Sequence, residues 1–407
     1  MHLHPILSAL LRSKTGAALI VAQVALTLAI VCNALFVIDA RLATAARPSG
    51  VDDAGVFQLT YYGIGTIPDP AAMMQRDLEV LKAIPGVIAA ADVNSFPISR
   101  SGWNMGLSAD PTRAESVIGA GVYFSGESVV DAFGLRLVEG RDFEPADVRE
   151  LTARNGNLQA DTVILSRHLA RLLLPDEATV VGKTIHLGAG ADAHPMRVVG
   201  VVDTLMSSSG QASPDAHRAF ILPVRYFSDR AQYAVRTAPA DRARVMAEAE
   251  KALTALRKDR VLTNHRSMSE IRETRYRQEN AGANMLIAVV VGLLVVTAGG
   301  IVGVSSIWVS QRRKQIGVRR ALGARRSDIL RYFLSENLLI TTTGIVLGVG
   351  LALGLNQYLV SHVELARLPP GYIVAGVPAM WALGVIAVLG PAWRAAAVPP
   401  AVATRTT

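Results

Sequence analysis

Cysteine is almost absent from this chain: Cys32 is the only one among 407 residues, and it sits inside an apolar run. That excludes a disulfide framework within the chain and any metal site built on Cys/His spacing. The eight histidines are scattered, with no HExxH pair, and no GxSxG turn occurs. A zinc or serine hydrolase therefore has no residues to stand on. Charge is sparse as well, at 18% of residues against 51% hydrophobic, and the mean hydropathy is +0.33. Length alone allows two or three domains.

The apolar residues gather in four blocks, and the middle of the chain reads as ordinary soluble sequence. A helix crossing a bilayer core of about 30 Å needs roughly 20 apolar residues. Residues 16–38, 283–309 and 333–355 meet this, and 372–390 is a shorter fourth span that contains Pro378. Lys/Arg content of short loops sets orientation. The link 311–331 carries Arg312, Arg313, Lys314, Arg319, Arg320, Arg325, Arg326 and Arg331 against Asp328 alone, so it is expected in the cytoplasm. The loop 356–371, with only Arg367 and Glu364, is expected outside. The stub 1–15, with Arg12 and Lys14, and the tail 391–407, with Arg394 and Arg405, are expected inside. Arg272, Arg275 and Arg277 run against this pattern but belong to a long domain, where the rule has little weight. A cleaved signal peptide over residues 1–46, ending at Ala43-Thr44-Ala45, is a rival reading. The apolar stretch exceeds the roughly 7–15 residues of a signal core, which favours an uncleaved anchor.

Residues 41–282 alternate strand and helix signals. A strand over 56–62 precedes Asp69-Pro70, a helix cap followed by proline at the first helical position. Met74, Leu78 and Leu81 continue at helical spacing, Pro85-Gly86 stops the run, and 87–93 returns as a strand. The pattern repeats with a strand at 233–237 and a helix opened by Pro239 with a stripe through Val245, Ala249, Ala252, Leu253 and Leu256. A strand at 261–264 completes it. Two βαβ units combine into one α+β sandwich, split by an inserted subdomain of about 110–222. That insertion holds strands at 162–165 and 196–202 and a helix at 167–174.

Two motifs here mislead. Gly182-Lys183-Thr184 imitates the end of a phosphate loop, but the required earlier glycine is Glu177, so a turn into a strand at 184–187 is the better reading. Ser207-Ser208-Ser209-Gly210-Gln211 faintly resembles an ATPase signature and reads as a flexible polar loop. Asp131, Glu139, Asp142 and Glu144 read as solvated turn residues, not a catalytic pair.

The basic link is the informative stretch. Ile316, Val318, Ala321 and Leu322 are interleaved with its arginines, and apolar groups on a short exposed loop point to a docking surface. Ser327 is placed to cap the helix that enters the third span. Glu336 inside that span needs a partner or an escape to the interface: snorkelling is the simpler reading, pairing with an arginine of the link the sharper one. Gly299/Gly303, Gly344/Gly348 and Gly350/Gly354 have the spacing of close helix packing.

The run 311–330 resembles the MacB/FtsX-like permeases of ABC transporters, whose usual form is close to RREIGIRRALGA. The sequence departs at Gln315, where that family usually has Glu. Residues 124–142, 163–187 and 198–202, and Pro391-Ala392-Trp393-Arg394-Ala395-Ala396 with Pro400, are similar to other family motifs. The resemblance implies that Ile316, Gly317, Val318, Arg319, Arg320, Ala321, Leu322, Gly323 and Ala324 form a coupling segment on a cytoplasmic ABC ATPase. ATP-driven movement would then pass through the spans to a porter-like periplasmic domain, with no substrate channel. MacB carries a fused ATPase. None is visible in this chain, so the ATPase is expected to be another polypeptide, with no catalytic residue, metal or cofactor here and ATP bound by that subunit. A second permease, identical or paralogous, is implied in the bacterial inner membrane, together with a periplasmic adaptor and an outer-membrane channel. No nucleic acid is expected. Regulation of a cell-wall hydrolase and lipoprotein release stay open as alternatives, although the large outer domain favours transport.

Overall fold

The computed structural model describes residues 14–397 apart from 66, 68, 152–158, 210–213, 229, 364 and 365. Arg12, Gly210, Gln211, Glu364, Pro400 and Arg405, and the side chain of Lys14, lie outside the described residues. The chain divides into a soluble unit, Thr44–Arg277, and a helical unit formed by Met1–Ala43 and Gln278–Thr407.

Helix α1 (Lys14–Ala45) opens the helical unit. In the soluble unit, β1 (Val56–Gly63) precedes α2 (Pro70–Ala83), which is capped as its sequence predicts. The Asp69 carboxylate accepts the Ala72 N–H at 2.9 Å, and Pro70 needs no partner at the first helical position. Gly86, at φ +99°, turns the chain into β2 (Val87–Asp92). A long excursion follows: β3 (Trp103–Ser108), β4 (Ile118–Phe124), α3 (Val129–Phe133), β5 (Leu137–Gly140) and β6 (Arg149–Leu151). It continues with β7 (Thr162–Ser166), α4 (Arg167–Leu173), β8 (Thr184–Leu187), β9 (His194–Val202), β10 (Ala219–Leu222) and β11 (Val224–Tyr226). The chain then returns through β12 (Arg230–Thr237), α5 (Arg242–Leu256) and β13 (Arg260–Ser267).

The two βαβ units interlock. Their strands form one antiparallel sheet in the order β13-β1-β12-β2, so each unit places a strand between the two strands of the other. Alternation along β1 and β12 turns Phe57, Leu59, Tyr233 and Val235 toward α2 and α5, where they bury against Leu78, Leu81, Val245 and Leu253. A polar lock joins the halves inside this core. The fully buried Asp77 of α2 accepts a hydrogen bond from the Tyr233 hydroxyl at 2.6 Å and pairs with Arg260 of β13. The Arg260 guanidinium lies 4.5 Å from the Tyr61 ring centroid. Breaking such a pair on one side leaves an uncompensated charge and costs about 3–5 kcal/mol.

The excursion forms its own sheet, in the order β5-β9-β7-β10-β4-β3-β8. Because β8 pairs with β9 as well as with β3, six of these strands close into a ring around Val122, Phe124, Val163, Leu165, Ile185 and Val198. This second layer begins at Trp103, earlier than the expected 110. Pro239 lies in a turn and does not open α5: the Asp241 N–H bonds Ala238 O at 3.0 Å, and the first helical bond runs from Val245 N to Asp241 O. Gly182-Lys183 is a turn, with φ +85° at Gly182 and Lys183 held 2.8 Å from Glu177. Ser207 and Ser208 are not a solvated loop. They are 3% and 6% exposed, and their carbonyls accept the N–H groups of Ile98 and Arg100. Asp142 is likewise tied in, accepting from the Ser128 hydroxyl and, at 2.8 Å, from Phe143 N.

Helix α6 (Met268–Gln311) starts from a reciprocal cap. The Glu270 carboxylate accepts from the Ser267 N–H and hydroxyl at 2.7 and 2.9 Å, and the Ser267 hydroxyl accepts the Glu270 N–H. After it come α7 (Arg313–Ala321), α8 (Arg326–Val363) and α9 (Pro370–Ala396). Among the described residues four helices, α1, α6, α8 and α9, are long and apolar enough to cross a membrane. Each outruns its apolar segment. Helix α6 begins at Met268 rather than 283, and α8 runs to Val363, through much of the expected loop 356–371. Hydropathy marks only the apolar part of a helix, whereas backbone hydrogen bonding propagates through the Glu, Arg and Gln residues that flank it.

Candidate coupling site

Helix α7 is short, basic and amphipathic. Glycine fixes where it ends: at Gly323, φ is +98°, a conformation that costs a residue with a Cβ. The N–H of Gly323 bonds Arg320 O at 3.2 Å and that of Ala324 bonds Arg319 O at 3.1 Å, the paired closing bonds of a glycine-terminated helix. The chain re-enters a helix at Arg326, and the capping acceptor is Asp328, whose carboxylate takes the Arg325 N–H at 2.9 Å. Ser327 lies inside the first turn of α8 and is not the cap.

One face of α7 is fastened to the spans by four contacts. Arg312, its N-cap residue, donates through one Nη to both carboxylate oxygens of Glu336 on α8, at 2.7 and 3.0 Å. The Arg319 guanidinium lies 5.2 Å from the Tyr332 ring centroid. Arg320 donates to the Ala396 carbonyl at the end of α9, at 2.7 Å, where the helix dipole favours a cation. Ile316 is 5% exposed and joins the buried cluster that holds Ile329, Phe333 and Ala395.

This arrangement revises two expectations. Ile316 is not part of an exposed docking surface, because helical spacing turns it inward with Gly317. The large apolar side chains left exposed are Val318 at 52% and Leu322 at 83%, beside the exposed Ala321. Glu336 does not snorkel. It is 1% exposed and paired with Arg312, which the basic link did not single out from seven other cations.

The glycine pairs divide in the same way. A Cβ on Gly344 would meet Val24 at 2.8 Å, and one on Gly348 would meet the Ala25 backbone at 2.9 Å, so α8 and α1 touch through these two residues. Gly299, Gly303, Gly350 and Gly354 face open space. Two contacts that the spacing did not single out occur on α9: Gly376 against Cys32 and Gly384 against Thr341. Their partners lie on other helices, so no i,i+4 pattern marks them.

Four apolar helices among the described residues, one before and three after a large α+β domain in the chain, define an integral membrane protein with a substantial soluble domain. Residues 18–254, more than half of the chain, match the MacB-like periplasmic core domain, and residues 287–400 match the FtsX-like permease C-terminal region. The chain belongs to the MacB/FtsX-like family of ABC transporter permeases, and its soluble unit is the family's periplasmic domain. It is 29% identical over 289 residues to a macrolide export ATP-binding/permease protein MacB of Acinetobacter baylyi, covering 67% of this chain and 40% of that one. It is 31% identical over 284 residues to a pyoverdine export ATP-binding/permease protein PvdT of Pseudomonas fluorescens, covering 67% and 41%. The chain thus spans about 40% of the length of these relatives. The extracellular domain of the noncanonic ABC-type transporter YknZ from Gram-positive bacteria aligns over 51% of this chain and all of that one, at 16% identity and a TM-score of 0.31.

Proposed function

We propose that this permease works by transmitting movement. Helix α7 docks on a cytoplasmic ABC ATPase, and ATP-driven displacement of that ATPase passes through the spans to the periplasmic domain. The outcome is export or periplasmic handling of a substrate. ATP is bound and hydrolysed by the partner. The assembly pairs this chain with a second permease in the bacterial inner membrane and hands substrate to a periplasmic adaptor and an outer-membrane channel.

The observation that carries this reading is the two-faced character of α7. Its inner face is tied to α8 and α9 by an ion pair, a cation–π contact, a carbonyl hydrogen bond and a buried isoleucine. Its outer face presents Val318 and Leu322 among arginines. A helix held this way moves α8 and α9 when something pulls on its free side. Burying Leu322 against a partner contributes about 1.5–3 kcal/mol, and an aspartate there adds a charge to desolvate. The test is co-purification of the ATPase with Leu322→Asp at equal permease abundance. Loss of the ATPase with normal membrane insertion is expected; full retention, with full ATP-dependent activity, rejects docking through this face.

A further inference from the structure

The face of the interlocked sheet turned away from α2 and α5 carries polar groups along β1, β12 and β13, and a cavity unrelated to α7 lies over them. Alternation that sends Phe57, Leu59 and Tyr233 to the helices sends Gln58, Thr60, Arg230 and Gln232 the other way. Register sets these groups side by side: Gln58 stands opposite Arg266, and Thr60 stands opposite both Gln232 and Asn264. The segment 96–102 and the first turns of α6 roof this face, leaving a cavity of about 170 Å³. Four arginines line it: Arg100, Arg230, Arg266 and Arg275. Among the described residues that line it there is no Asp or Glu.

That imbalance is local. Elsewhere in the same unit Arg136, Arg141, Arg149, Arg218, Arg260 and Arg272 each hold a carboxylate. Around the cavity, Arg100, Arg230 and Arg266 form no ion pair among the described residues. Arg275 donates to Ser209 O at 3.2 Å, and Arg230 spends one Nη on Gln232. The Nε of Arg230 is buried with no acceptor among the described residues. Like charges converging on one space repel, and a buried donor without a partner costs about 1–3 kcal/mol.

Backbone strain is held here as well. Ile98 and Arg100 have φ of +56° and +67°, the only non-glycine residues at positive φ among those described. For β-branched Ile98 this is a true outlier. The strain is locked by Ile98 N to Ser207 O at 3.1 Å and Arg100 N to Ser208 O at 2.8 Å. Strain of this kind persists where the surroundings over-determine it, and it concentrates at ligand clamps.

We infer that this cavity of the periplasmic domain binds a multivalent phosphate-type oxyanion between Arg100, Arg230, Arg266 and Arg275. Guanidinium forks match the geometry of phosphate oxygens. Even the three arginines that form no ion pair among the described residues, Arg100, Arg230 and Arg266, exceed what a single carboxylate neutralises, which points to a phosphate monoester or a pyrophosphate group. The buried Arg230 Nε and the amides of Gln58 and Gln232 supply further donors. A free phosphate ester and a phospholipid head group share this chemistry.

The purified full-length chain in neutral detergent is titrated with inorganic pyrophosphate by calorimetry at low ionic strength. Saturable binding is expected, with the melting temperature rising by mass action. Arg230→Gln/Arg266→Gln should weaken binding at least tenfold, and Arg266→Gln alone, at an exposed position that tolerates change, should weaken it by a smaller factor. Arg76→Gln, an exposed arginine of α2, should leave binding unchanged. Absence of saturable binding overturns the inference, as does an equal loss from Arg76→Gln or full binding in the double variant. Given the expected binding, displacement of pyrophosphate by dihexanoyl phosphatidylglycerol assigns the site to lipid head groups, and retention assigns it to free phosphate esters.

Discussion

Removing one member of the Arg312–Glu336 pair should be among the most damaging single changes in the helical unit. The Glu336 side chain is 2% exposed and that of Arg312 is 17%, so neither charge regains full hydration when the other is lost. Both carboxylate oxygens accept from one Arg312 nitrogen, at 2.7 and 3.0 Å. Breaking a buried pair from one side costs about 3–5 kcal/mol, whereas replacing both members by apolar groups of similar volume is often neutral. Arg312→Met and Glu336→Leu should therefore each destabilise the helical unit by about 3–5 kcal/mol, and the double variant should recover most of that loss. The readout is equilibrium unfolding in mixed micelles, followed by the fluorescence of Trp308, which is 7% exposed in the same buried cluster as Ile316. Independent sites add to within about 0.5 kcal/mol. If the double variant loses the sum of the two single losses, the pair is not a coupled unit and the fastening of α7 to α8 fails with it.

Two further outcomes follow from the packing. Burial against β4, opposed by a hydrogen bond from Ser125, raises the Asp92 carboxyl from 3.8 to about 6. The folded chain then holds a proton that the unfolded chain has released, so this group's contribution to stability falls as pH rises from about 4 to 6. Asp92→Asn should stabilise the periplasmic domain by about 3 kcal/mol at pH 7 and flatten that window; thermal melts showing an unchanged pH slope would contradict the assigned burial. Gly348→Val forces a side chain against the Ala25 backbone and should cost about 1–3 kcal/mol, whereas Gly350→Ala, which meets nothing, should change stability by less than about 0.5 kcal/mol. Detergent unfolding of the two variants checks this, and equal effects would remove the α1–α8 contact from the account.

Much of the fold is legible in local pattern. Asp69-Pro70 and Pro85-Gly86 bracket α2 because capping and turn chemistry act within a few residues, and the strands on either side follow from alternation. Closure of the second sheet is not legible, because it depends on β8 finding β9 and β3 together, and no residue in β8 encodes both partners. The same limit governs the candidate site. The sequence shows that apolar residues punctuate a basic link, and Gly323 marks its end, but it does not show which side each apolar residue takes. Ile316 and Leu322 are chemically alike. One is 5% exposed and the other 83%, because the face of α7 that turns inward is set by contacts to Glu336, Tyr332 and Ala396, all distant in sequence. The cationic cavity is likewise assembled from β1, β12, β13 and a strained loop, none of which is distinctive alone.

The most direct test of force transmission through α7 is a site-specific photo-crosslinker placed in turn at Leu322, Val318 and Ile316 in native membranes containing the ATPase. The account predicts ATPase adducts from positions 322 and 318, with yields that change when ATP hydrolysis is blocked, and none from 316. Adducts from position 316 equal to those from 322, or no ATPase adduct from any of the three, would contradict it.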